Sequence, residues 1–115
     1  MRIDVDRQKG RPAIVRPVGP VDVDTASTLR DTLRQMAEEG GESVIVDLGE
    51  VEFIDSSGLS ALVSGLKALR AKGGMLSLSR AHPQALTALR LTMLDRVFPI
   101  FPTIEEAVKQ GPTIP

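Results

Sequence analysis

The chain has 115 residues, 42% of them hydrophobic and 25% charged, which predicts one ordered domain with a single core and excludes long disordered stretches. Aromatics are three Phe only, so Leu, Val, Ile, Met and Ala must build that core, and the 14 basic and 15 acidic residues balance to a net charge of −1, too little for a bulk pull toward nucleic acid or an anionic membrane. The absence of cysteine excludes disulfides, thiol nucleophiles, zinc ribbons and iron–sulfur ligation.

The opening "MRIDVDRQKG" lacks the uninterrupted apolar segment of a signal peptide, and no later apolar run approaches the roughly 20 residues needed to cross a bilayer, so a soluble cytoplasmic protein is expected. "RIDVD" and "RPAIVRPVG" form a predicted hairpin turning at Lys9-Gly10, with Pro12 near an edge or strand start. From Thr25, the positions Ala26, Leu29, Leu33, Met36 and Ala37 have helical spacing, and Gly40-Gly41 stops the element. "SVIVDL" is the continuous apolar run of a central, parallel strand covered on both faces.

Leu59, Leu62, Val63, Leu66 and Leu69 mark the stripe of a second helix ending at Gly73-Gly74. "MLSLS" is a predicted strand, "HPQALTALRLT" a helix with Pro83 early in it, and "RVFPIF" a short extended segment whose Pro99 points to a sheet edge. Thr103-Ile104-Glu105-Glu106 has capping-box spacing and opens a last short helix. The order β-β-α-β-α-β-α-β-α, with right-handed crossovers, predicts an α/β domain whose mostly parallel mixed sheet carries an antiparallel edge strand and about four helices. The expected domain is 1–111, followed by a frayed 112–115 tail.

Few residues offer catalysis. His82, the only histidine, precedes Pro83 with no motif around it, and a surface or capping role suits it better than acid–base work. "FIDSSGLS" lacks the G-x-S-x-G of a nucleophile elbow, and neither phosphate-binding glycine motif occurs in the chain. Asp4, Asp6, Asp22, Asp24, Asp47 and Asp55 raise a magnesium site at the strand ends, with Asp22 and Asp55 on one sheet end; helix capping by Asp22 or Asp24 and by Asp55 is the preferred reading. Arg2, Arg11, Arg16, Arg70, Arg80, Arg90 and Arg96 are scattered as solvated faces are.

The stretch Asp55-Ser56-Ser57-Gly58 holds more cappers than one helix start needs. With Asp55 or Ser56 as N-cap, Ser57 falls in the first turn, where outward N–H groups and the helix dipole tolerate an added anion. A phosphate on a hydroxyl there adds about −1.5 to −2 charges without melting the helix, repels an acidic partner surface, and fills space that the bare hydroxyl and small Gly58 would leave to another backbone. On physical grounds alone simple helix capping is the preferred reading of the cluster, since such clusters open many helices, and spacing alone does not choose between Ser56 and Ser57.

Residues 44 to 78, "VIVDLGEVEFIDSSGLSALVSGLKALRAKGGMLSL", resemble the signature segment of STAS domains, in particular the stand-alone bacterial anti-sigma-factor antagonists. "VRPVGPVDVDTASTLRDTL" is similar to that family's second strand and first helix, with Asp22 at its strand-end aspartate, and "LDRVFPIFPTIEEAV" to its closing strand and helix. The resemblance implies helices packed mainly to one side of a small sheet. It also implies Ser57 as phosphoacceptor of a cognate anti-sigma factor that is itself an ATP-dependent serine kinase, with Asp22, Asp55, Ser56 and Gly58 on the same contact surface. The unphosphorylated form binds that kinase and frees a sigma factor; the phosphorylated form lets go, and a serine phosphatase resets it. ATP and Mg²⁺ belong to the partner, leaving this chain with no cofactor, no metal, no catalytic residue, and no direct contact with nucleic acid or membrane.

Two departures from the family pattern stand out. Ser60 replaces a usual glycine or alanine, and Pro20 removes an N–H just before Asp22, where a sheet-edge hydrogen bond is expected to be missing. The same domain serves in transporter tails, lipid-transport complexes and stress-sensing assemblies, so a non-phosphorylated scaffold subunit of a larger assembly is the alternative. An enzyme would require His82 within hydrogen-bond reach of Ser56 or Ser57.

Overall fold

The computed structural model of the protein describes residues 1–40 and 42–110. Gly41, half of the expected stop after the first helix, and residues 111–115, with the last residue of the expected domain and its tail, lie outside the described residues.

The elements run β1 (Arg2–Asp6), β2 (Ala13–Val18), α1 (Ala26–Glu39), β3 (Val44–Asp47), α2 (Ser56–Ala71), β4 (Leu76–Ser79), α3 (Pro83–Leu91), a 3₁₀ turn (Leu94–Arg96), β5 (Ile100–Phe101) and α4 (Ile104–Gln110). The expected order is the observed one, with the 3₁₀ turn added. The sheet follows chain order from β1 to β5; β1 is antiparallel to β2 and every other pair is parallel. Each crossover steps one strand the same way, so right-handedness delivers α1, α2 and α3 to one face.

Side-chain alternation sorts the strands between two faces. Ala13 and Val15, Val44 and Val46, and Leu76 and Leu78 join the stripes of α1, α2 and α3 in the main core. The alternate positions Ile45, Asp47, Ser77 and Ser79 are equally buried but face the other way, the side on which α4 lies against β3, β4 and β5. This is why "VIVDL" reads as apolar throughout: both of its faces are covered.

All five stripe positions of α1 are buried, as are Leu59, Leu62, Leu66 and Leu69 of α2. The two helices approach closely where Leu33 packs on Gly65; a Cβ there would stand 2.9 Å from the Leu33 Cβ. α2 ends as expected, with Gly73 at φ +87° and the Gly74 N–H donating to the Leu69 carbonyl at 2.8 Å.

"RVFPIF" departs from expectation. Only Ile100 and Phe101 are strand; Arg96 closes the 3₁₀ turn, and the N–H groups of Val97 and Phe98 both donate to the Leu94 carbonyl at 3.0 Å. Burial of Phe98, 1% exposed, tucks the chain into the core before it can extend. The strand that remains is an edge, as Pro99 suggested.

Candidate functional site

The site is built where the segment after β2 meets the loop after β3. Val21 and Ile54 form an isolated parallel bridge: the Val21 N–H donates to the Phe53 carbonyl at 2.9 Å and the Asp55 N–H to the Val21 carbonyl at 3.1 Å. Asp22 and Asp55 each follow one bridged residue, so they emerge together at one sheet end, as the sequence suggested. Pro20 does not break this pairing. Its neighbours Gly19 and Val21 make the bonds to the loop, Gly19 to the Glu50 carbonyl at 2.9 Å, while Pro20 itself is exposed.

Asp55 is the N-cap of α2, accepting the Gly58 N–H at 3.0 Å, while the Leu59 N–H donates to the Asp55 carbonyl. One carboxylate therefore does the capping, and both serine hydroxyls are spared it. Ser56 and Ser57 occupy the first two helical positions, whose N–H groups have no carbonyl one turn earlier within the helix. Ser56 is exposed; Ser57 is half-buried at a groove between α1 and α2.

Gly58 is buried, which corrects the reason given for its small size. A Cβ there would lie 2.5 Å from Ile54 Cγ1 and 2.7 Å from the Val21 carbonyl oxygen, so the backbone that approaches Gly58 is this chain's own. The expected capping of α1 by Asp22 or Asp24 is also corrected. Thr25 holds the N-cap position without a side-chain bond to the helix N–H groups, and the Asp22 carboxylate accepts the Asp24 N–H at 3.0 Å in an Asx turn. The Thr25 hydroxyl accepts the Asp22 N–H at 2.9 Å and donates to the Pro20 carbonyl at 2.8 Å, fixing the loop that presents Asp22.

Two side chains from the start of α3 hold the β3–α2 loop. The Gln84 amide accepts the Ile54 N–H and donates to the Ile54 carbonyl, both at 2.8 Å. His82 Nε2 lies 2.9 Å from the Gly49 carbonyl, to which it donates, so the ring is a strut between loops. It makes no side-chain cap on α3, contrary to one of its expected roles. Nothing in the sequence pattern flagged Gln84, because a glutamine early in a helix is unremarkable until the backbone amide it matches is known.

Asp47 could have been found. A carboxylate ending a wholly apolar strand must be paired, and it is: Arg16 Nε at 2.8 Å, Arg80 Nε at 2.9 Å and the Gly49 N–H at 2.9 Å surround a side chain 1% exposed. Burial pushes its pKa up, and the Arg16, Gly49 and Arg80 contacts together outweigh that and hold it below the usual carboxylate range. Its hydrogen bond in turn raises Arg16. Arg16 and Arg80 are thus structural partners of a buried anion, not the purely solvated charges expected of them, and Gly49 has no Cβ because the Arg80 guanidinium lies against it. Among the described residues no three His, Cys, Asp or Glu side chains converge as a metal site requires, and no helix is long and apolar enough to cross a membrane.

The STAS domain model matches residues 2–107 of the chain. The anti-sigma-B factor antagonist of Bacillus subtilis is 31% identical over 110 residues, which are 95% of this chain and 100% of that protein. The crystal structure of an anti-sigma factor antagonist from Mycobacterium paratuberculosis matches with a TM-score of 0.82 at 27% identity, over 92% of this chain and 89% of that one. The Bacillus cell fate determinant SpoIIAA, in its phosphorylated form, shares the fold with a TM-score of 0.74 at 19% identity, over 95% and 98% of the two chains. The chain belongs to the STAS domain family.

Proposed function

We propose that the protein is an anti-sigma-factor antagonist that binds its cognate anti-sigma factor, a serine kinase, through the surface around Asp22, Asp55, Ser56, Ser57 and Gly58, and is switched off by phosphorylation of Ser57. The observation that carries this reading is the division of labour at the start of α2: Asp55 caps, which leaves the Ser57 hydroxyl free for chemistry in a turn suited to an anion. Two relatives named as anti-sigma factor antagonists, each matching over nearly the whole chain, support the role. Gly58 contributes from beneath the surface, by letting Val21 and Ile54 hold Asp22 beside Asp55.

In the transfer, Ser57 Oγ attacks the γ-phosphorus of ATP held by the kinase, the bond to the β–γ bridging oxygen breaks, and ADP leaves. The serine proton passes to a base of the kinase. This chain contributes the nucleophile and the docking surface, so it is a substrate and a ligand, not an enzyme. The phosphate, beside Asp22 and Asp55, turns the surface against an acidic partner, and a serine phosphatase returns it by hydrolysis.

Affinity for the purified partner kinase tests this reading. Ser57→Ala binds constitutively and Ser57→Asp, which carries less charge than phosphate, binds more weakly, while both variants stay within about 0.5 kcal/mol of the parent in stability. Equal affinity of the two variants would sink the electrostatic switch.

A further inference from the structure

The groove at Ser57 runs between α1 and α2 and encloses about 460 Å³; Ser27 and Arg30 line it from α1, and Ser57, Ser60 and Ser64 from α2. Both helices return from one parallel strand to the next, so they run in the same direction. They are pinned where Leu33 meets Gly65. Counted back from that contact, Arg30 lies three residues and Ser57 eight residues nearer the N-termini, about 4.5 Å and about 12 Å at 1.5 Å per residue. A helical arginine leans toward its own N-terminus. That direction leads from Arg30 toward Ser57, and the axial gap of about 7.5 Å is within the reach of an extended arginine side chain.

Arg30 has only a weak commitment in the absence of phosphate. Its Nε contacts Asp31, the next residue, at 3.3 Å, with the two side chains 43% and 67% exposed, the kind of pair that contributes little. A phosphate dianion is a far better partner for a guanidinium, which binds its oxygens in a fork. Arg30 is the charged side chain that lines the groove at Ser57, whereas Arg34, one turn further along α1, lines the adjoining groove with Ser56; Asp22 and Asp24 from the loop and Asp55 from the helix start are acidic and would not hold a phosphate.

We propose that Arg30 is the receptor of the Ser57 phosphate: on phosphorylation the guanidinium binds the phosphate across the α1–α2 groove, with the Ser27 and Ser60 hydroxyls donating from its walls. The inference rests on the reading of Ser57 as phosphoacceptor and deepens it. Phosphorylation then does two things at once, adding charge to the docking surface and stapling α1 to α2. It follows that aspartate at position 57 is an incomplete mimic, being too short and too weakly charged to engage Arg30.

The test uses the full chain with phosphoserine installed at position 57 during translation, so it does not depend on what cells do to that residue. Phosphorus-31 NMR titration follows the second ionisation of the phosphate in the parent and in Arg30→Gln. With Arg30 present the dianion is favoured, so the second pKa is lower than in Arg30→Gln by about half a unit or more, roughly a threefold change in proton affinity. Arg30→Lys, which keeps the charge without the fork, falls between. Unphosphorylated Arg30→Gln melts with the parent, so a merely structural effect of the substitution is read separately from the titration. The same phosphate pKa in the parent and Arg30→Gln overturns the proposal. Failure of the switch reading would instead appear as an absence of phosphate on Ser57 in cells, with the titration difference intact.

Discussion

Gly58→Ala puts the construction of the site under direct strain. The added Cβ would stand 2.5 Å from Ile54 Cγ1, 2.7 Å from the Val21 carbonyl oxygen and 2.9 Å from Val21 Cγ1. At an ordinary helical position the change would gain about 1 kcal/mol in propensity. Here the Val21 carbonyl cannot turn aside, because it accepts the Asp55 N–H at 3.1 Å, so relief requires the two segments to separate. Overpacking of this kind costs about 1–3 kcal/mol, and weakening the Val21–Asp55 bond costs about 1 kcal/mol more. The net expectation is a loss of about 2 kcal/mol, or about 8 °C in Tm for a domain of this size. Thermal and urea denaturation measure it, and partner affinity falls in parallel because Asp22 moves away from Asp55. A Gly58→Ala protein as stable as the parent, or more stable, would refute the packing argument.

Other perturbations bear on the supports of the site. Gln84→Ala leaves both backbone groups of buried Ile54 unpaired, so stability drops by about 2 kcal/mol and amide exchange at Ile54 accelerates while α4 is unaffected. Asp47→Asn removes the anion between Arg16 and Arg80, for a loss of about 2 kcal/mol at neutral pH, both arginines being partly solvated. Asp47 is more acidic folded than unfolded, so as pH falls below about 4 the unfolded chain takes up the proton first. Its contribution is therefore complete at neutral pH and fades as pH falls through its folded pKa. The stability gap between the parent and Asp47→Asn closes over that acid range; a gap that is constant with pH would contradict the pairing.

What the sequence reveals divides along a physical line. The helices α1 and α2, the central strand β3 and the stops at Gly10 and Gly73 are local signals, carried by periodicity and by backbone freedom, and they are legible without a structure. Asp22 beside Asp55 is legible in the sequence because both end strands on one side of a parallel sheet. The choice of Asp55 over Ser56 as the cap is not, since either side chain can accept the same N–H. Contacts between residues more than thirty apart in sequence, such as Arg16 and Arg80 with Asp47 or His82 with Gly49, carry no local pattern. The "RVFPIF" segment misled because its strand propensity was overridden by burial of one Phe98 side chain.

Whether Ser57 carries a regulatory phosphate is decided by intact-mass spectrometry with fragmentation on the protein purified from its native cells. The expected result is a substoichiometric phosphate on Ser57 whose occupancy changes with growth conditions. No phosphate under any condition would contradict it and favour a scaffold subunit, and a phosphate on Ser56 would mean that the neighbouring, more exposed hydroxyl is the acceptor.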